Sequence, residues 1–144
     1  MRALRGALKR VRGDDDVGTA AAPLTPELAA DPSRVKVVTD LAGRALYFSR
    51  AAIPHWRDGA APPEGLYWQH LGLYVFHRPV LERWAALGPT PLEEAERLEQ
   101  LRALQNGFRI GVARLDHPVP PGIDTPEDLR EAEAHWHAHH EEWG

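Results

Sequence analysis

The chain has 144 residues, 43% apolar and 26% charged, with a formal net charge of −4. That length allows a single domain of ordinary globular composition. The lack of cysteine excludes disulfides, zinc–thiolate sites and cysteine catalysis, and the acidic balance argues against nucleic acid as the main partner. No apolar run approaches the ~20 residues needed to span a bilayer. Residues 1–13 are basic but lack the apolar core of a signal peptide. A cytoplasmic protein with no membrane partner is therefore expected.

Arg2, Arg5, Lys9, Arg10 and Arg12 crowd the start, and residues 2–10 read as a short helix with a basic face. Residues 17–22 read as a strand ended by Pro23, and Thr25 to Ala30 suits one or two helical turns. The β-branched run 35–39 predicts a strand, 40–43 a turn, and 44–49 a second strand. So short a link makes the two antiparallel. Pro54, Pro62 and Pro63 mark residues 53–64 as a loop. A strand over 69–77 and a helix over 79–87 follow.

Residues 90–107 predict one helix with both ends specified. Thr90 is the N-cap, Pro91 the first helical residue, Glu93 the capping-box partner and Gly107 the stop. Within it Glu93, Glu96 and Gln100 fall at helical spacing, with Glu99 beside them. Residues 108–115 read as a strand, 116–122 as a proline-rich loop, and Thr125 to about His140 as a last helix. Alternating helices and strands predict the α/β class. A nucleotide-binding domain of that class normally opens on an apolar strand and a Gly-rich or basic loop. No such opening occurs here, so within that class the first strands would be missing.

Four places carry side chains suited to chemistry. His70, Gly72 and Tyr74 share one face of the predicted strand, with the His and Tyr backbones ~13 Å apart and Gly72 leaving room for a ligand. An ordinary half-buried strand has the same pattern. Arg50 stands where a strand runs out, suited to a carboxylate or phosphate, or simply to the surface. Asp124 precedes a helix cap that Thr125, Pro126 and Glu127 already satisfy, and a carboxylate there suits Mg²⁺. The row of acceptors at Glu93, Glu96, Glu99 and Gln100 suits a sugar wall or a wet helix face. The His-rich end, residues 135–144, pairs His135 with His139 at chelating spacing, but no third ligand is implied and a solvated helix end explains it equally.

Together these segments resemble one family, the 3-deoxy-manno-octulosonate cytidylyltransferases, or CMP-Kdo synthetases. The likeness runs through Val35–Val38, Ala45-Leu46-Tyr47-Phe48-Ser49-Arg50 with Ile53-Pro54, His70-Leu71-Gly72-Leu73-Tyr74, Pro91-Leu92-Glu93, Leu98-Glu99-Gln100-Leu101-Arg102 and Ile123-Asp124-Thr125-Pro126-Glu127-Asp128. It covers nearly all of residues 14–134, in family order. The resemblance implies a mixed α/β sheet of the nucleotide-diphospho-sugar transferase type, lacking the N-terminal nucleotide-binding strands. It implies transfer of CMP from CTP to Kdo, with pyrophosphate released, for lipopolysaccharide synthesis, by a homodimer using Mg²⁺. By that resemblance Arg50, His70, Tyr74, Glu99 and Gln100 line the Kdo pocket, and Asp124 is a Mg²⁺ ligand of the reaction.

The family's basic Ile-Pro-Ala-Arg loop and its Gln-Gly-Asp-Glu-Pro segment, with the other Mg²⁺ ligand, do not occur in residues 1–144. The expectation is a single partial domain, the sugar-binding and dimer-forming half of such an enzyme, inactive by itself. Two other expectations stand beside it: a stand-alone binding or assembly module without catalysis, and a relative acting on another acidic sugar.

Overall fold

The structure is a computed structural model that describes residues 1–59 and 61–119, with Arg130 and Glu133. Its elements are α1 (Arg2–Arg12), β1 (Val17–Leu24), α2 (Pro26–Ala29), β2 (Lys36–Thr39), β3 (Ala45–Ser49), β4 (Tyr67–His70), β5 (Val75–Phe76), α3 (Arg78–Ala85), α4 (Pro91–Glu96), α5 (Gln100–Gln105) and β6 (Ile110–Arg114). The predicted terminal helix, its Asp124 and the His135 and His139 pair lie outside the described residues, although Arg130 and Glu133 are helical. Among the described residues no helix is long and apolar enough to cross a membrane.

The six strands form one mixed sheet in the order β3-β2-β4-β1, with β5 also beside β1 and β6 on its other edge. β1 is antiparallel to β4 and β5 and parallel to β6. Nearly every residue of β1 is buried, the pattern of a central strand covered on both faces. Val17 and Ala21 face a core that includes Phe48, Leu101, Phe108 and Ile110. Gly18 faces α1, and so closely that a Cβ there would stand 2.0 Å from the Ala7 carbonyl oxygen. α1 thus covers one face and α4 with α5 the other. The basic start is a helix face: Arg10 pairs with the buried Asp15 at 2.7 Å, and Arg44 reaches the same carboxylate at 2.6 Å.

β1 runs on through Pro23 rather than ending there. β2 and β3 form the expected antiparallel pair, with a register shift between Val38 and Thr39. Two predictions are corrected. The strand expected over 69–77 is interrupted: Ala21 pairs with His70 and Gly18 with Val75, so three steps along β1 face five along the partner. The two extra residues bulge out around Gly72, whose φ of 67° is a left-handed conformation glycine takes without strain. The single helix expected over 90–107 is two. α4 ends at Arg97, which has φ 55° and ψ 48°, and α5 starts afresh at Gln100.

Candidate functional site

The bulge and the elbow between α4 and α5 meet at one cavity. It measures about 410 Å³ and is lined by Tyr74, Phe76, Trp84, Glu99, Gln100 and Arg102, among others. Of the five residues expected to bind substrate, Tyr74, Glu99 and Gln100 lie on its wall. His70 stands behind Tyr74, with ring centroids 5.4 Å apart. The ~13 Å backbone spacing expected of a straight strand therefore does not separate the rings, because the bulge folds the chain back between them. Trp84 closes the other side, edge-on to Tyr74 at 5.6 Å and to Phe76 at 5.8 Å.

Gln100 is only 5% exposed. Its side-chain amide has no hydrogen-bond partner among the described residues. A buried amide normally finds one, so on the cavity wall Gln100 has its hydrogen-bonding capacity free. Glu99 is exposed beside it. Burial, and then the Glu99 charge, push the Tyr74 hydroxyl well above its ordinary pKa. Tyr74 therefore stays protonated and able to donate.

His70 is buried, and desolvation pushes its pKa down to about 4. The Thr19 hydroxyl donates its one proton to the Leu73 carbonyl at 2.6 Å. Toward His70 Nε2, 2.9 Å away, it can only accept. This network assigns the proton of the neutral ring to Nε2 and leaves Nδ1 a bare acceptor. A neutral acceptor suits a sugar hydroxyl, not the carboxylate that a charged histidine would take.

Arg50 lies apart from the cavity. Its Nε donates to the Glu96 carbonyl at 2.9 Å, one terminal nitrogen to Pro32 at 3.1 Å, and the other to Arg97 at 3.4 Å. Its backbone N–H donates to the Glu96 carboxylate at 2.9 Å. Glu96 also accepts from Ser49 at 2.6 Å and Tyr47 at 3.3 Å. Burial works against the charge on Glu96, but these hydrogen bonds and the Arg50 charge outweigh it and hold its pKa down. Behind them the fully buried Lys36 ammonium donates to the carbonyls of Asp31, Arg34 and Arg50. The four acceptors therefore do not form one stripe. Glu96 serves this polar knot, and Glu93 grips Arg102.

Sequence reasoning missed Trp84 and Arg97 on the cavity wall. Trp84 had a readable signal, since Val80, Trp84 and Leu87 recur at core-facing helical spacing. Arg97 had none. Among the described residues no group of three or more His, Asp or Glu gathers to hold a metal. With Asp124 outside those residues, no step through Mg²⁺ is derived.

The family model described as cytidylyltransferase matches residues 3–110. The 3-deoxy-manno-octulosonate cytidylyltransferase of Dichelobacter nodosus is 53% identical over 103 residues, which cover 72% of this chain and 42% of that protein. The protein of that name from Methylococcus capsulatus is 47% identical over 142 residues, covering 94% of this chain and 55% of that one. A solved CMP:2-keto-3-deoxy-manno-octonic acid synthetase complexed with CTP superposes with a TM-score of 0.84 at 35% identity, covering 95% of this chain and 56% of that one. The chain thus spans about half the length of the curated relatives it matches. A family match over most of the chain, with the same fold in a solved relative, places this protein in the cytidylyltransferase family, alongside the CMP-Kdo synthetases.

Proposed function

We propose that the cavity is the sugar pocket of a CMP-Kdo synthetase, an enzyme that transfers CMP from CTP to Kdo and releases pyrophosphate. The observation that carries this reading is Gln100, 5% exposed and without a partner, on one wall with Tyr74 and Glu99. A polyhydroxylated ligand satisfies all three at once: the amide can give and take, the phenol donates, the carboxylate accepts. The volume lies in the range of small-molecule pockets.

In the reaction so proposed, the anomeric hydroxyl of Kdo attacks the α-phosphorus of CTP, a P–O bond forms, and pyrophosphate departs. Such a step depends on positioning and on neutralising charge. The part proposed for these residues is positioning. Gln100 and Glu99 hold hydroxyls from one side, Tyr74 donates from the other, and Trp84 excludes water along the apolar edge. A Mg²⁺ held by Asp124, which would neutralise phosphate charge, and a homodimeric state belong to the same reading.

Calorimetric titration of Kdo into residues 1–144 tests it. The chain is expected to bind Kdo and to form no CMP-Kdo when CTP and Mg²⁺ are added. Gln100→Ala should weaken Kdo binding about tenfold, the worth of one or two buried hydrogen bonds, with an unchanged Tm. Equal Kdo affinity in the variant would remove Gln100 from the site.

A further inference from the structure

The end of α5 carries the one asparagine of the chain, and a glycine follows it directly, as Asn106-Gly107. Both residues are exposed. The backbone asks for that glycine: Gly107 has φ 79°, the left-handed position at which helices commonly stop. The same choice has a chemical side. The side-chain carbonyl carbon of an asparagine is open to attack by the next backbone nitrogen, and a glycine has no side chain to hinder the approach. Apart from its chain neighbours, no heavy atom of the described residues stands within 4 Å of where a Gly107 Cβ would lie, so water has access.

The fold holds the reacting groups apart. The Gly107 N–H, the nucleophile, donates to the Leu104 carbonyl at 3.1 Å. Asn106 Nδ2, the leaving group, donates to the Arg102 carbonyl at 2.8 Å. Asn106 has φ −92° and ψ 15°. Ring closure needs the Gly107 nitrogen to eclipse the Asn106 Cβ, and this ψ turns it well away. The Asn106 N–H, shared between Arg102 at 3.2 Å and Ala103 at 3.1 Å, and the Phe108 N–H, on Ala103 at 3.1 Å, fix that torsion from both sides. Phe108 is itself buried in the core.

We propose that Asn106 is a self-modification site that the C-terminal cap of α5 keeps closed and that opens when the cap frays. In the open state the Gly107 nitrogen gives its proton to solvent and bonds to Asn106 Cγ. The Cγ–Nδ2 bond breaks, and Nδ2 takes up a proton and leaves as ammonia. Water then splits one of the two C–N bonds of the cyclic imide, giving either aspartate or an isoaspartate whose main chain runs through the former side chain. The net change is water taken up and ammonia released. Neither product suits the cap. Aspartate loses the Nδ2 donor and sets a negative charge against the Arg102 carbonyl. Isoaspartate adds a main-chain carbon just before the buried Phe108 and β6 beyond it. An α5 that has stayed open long enough to react therefore closes less well afterwards.

The test is incubation of residues 1–144 at mildly alkaline pH in three states: folded, in urea too dilute to unfold the chain, and unfolded in concentrated urea. Mass spectrometry of the peptide that holds residue 106 reads the exchange of amide for acid. Conversion should be slower in the folded chain than in the unfolded one by about tenfold or more, because it waits on local opening. It should quicken in dilute urea while the rest of the fold persists. Asn106→Gln, which closes a larger ring, should stay unconverted in all three. Equal rates folded and unfolded overturn the closed cap, and no conversion in the unfolded chain overturns the site. A folded rate that dilute urea leaves unchanged overturns the local opening. The purified isoaspartate form should have a lower Tm than the unmodified chain, and an equal Tm overturns the cost at the cap.

Discussion

His70 shows how one buried side chain links the site to pH. An unfolded chain carries this ring at the ordinary pKa of 6.5, whereas burial lowers it to about 4 in the fold. Between those values the unfolded state binds more protons, so stability rises with pH there. The contribution is complete above about 6.5 and is lost as pH falls toward 4. A shift of that size corresponds to about 3 kcal/mol. Urea unfolding at pH 7.5 and pH 5 should show the loss, and His70→Gln, which has no proton to gain, should flatten it. An equal pH dependence in the variant would refute the assignment. The residue choice at 70–74 was legible in the sequence, but the geometry was not. Gly72 was read as empty space on a straight strand, whereas its positive φ turns the chain and brings the His70 ring to 5.4 Å from that of Tyr74, tilted by 53°. A glycine alone does not say which of its two uses applies.

At the scale of elements, the elbow between α4 and α5 depends on contacts distant in sequence. The start of α4 was readable because capping is local chemistry: the Thr90 N–H donates to Glu93 at 3.3 Å. Its end was not. Leu-Glu-Gln-Leu has good helical propensity, and nothing near Arg97 codes a stop. The break follows from Arg50 and Glu96, which tie the elbow to β3, and from Leu98, which turns into the core. Tertiary contacts here override local preference. Lys36 anchors the arrangement, since its ammonium satisfies three carbonyls, one of them that of Arg50. Burial lowers its pKa, yet removing it would take the ammonium donor from all three carbonyls, of which that of Asp31 keeps the Arg34 N–H at 3.2 Å. Lys36→Met should therefore destabilise the protein by about 3 kcal/mol or more in denaturant unfolding, despite adding apolar surface to a buried place. A neutral or stabilising result would show that the carbonyls repair themselves.

Over the whole molecule, the α/β class and most elements followed from periodicity and turn residues, while the curl of the sheet did not. The sheet bends until its two outer strands touch: Arg44 bridges Gly111, and the Val112 N–H reaches the Gly43 carbonyl at 2.8 Å. The two outer strands thus partly cover each other's edges within the chain itself. Closure brings α1 hard against β1 at Gly18. Gly18→Ala forces a Cβ to 2.0 Å from the Ala7 carbonyl, and should cost about 3 kcal/mol as α1 is pushed outward. Hydrogen exchange is expected to quicken along residues 2–12 first; unchanged exchange there would count against the contact. The parallel pairing of β1 with β6 has a kinetic side. It joins residues 17–21 to residues 110–114, opposite ends of the described fold. Loops that long close slowly, and pairings of high contact order dominate folding times. Every cavity residue precedes β6 in the chain. During synthesis the cavity residues are therefore written out before the strand that completes the pairing of β1.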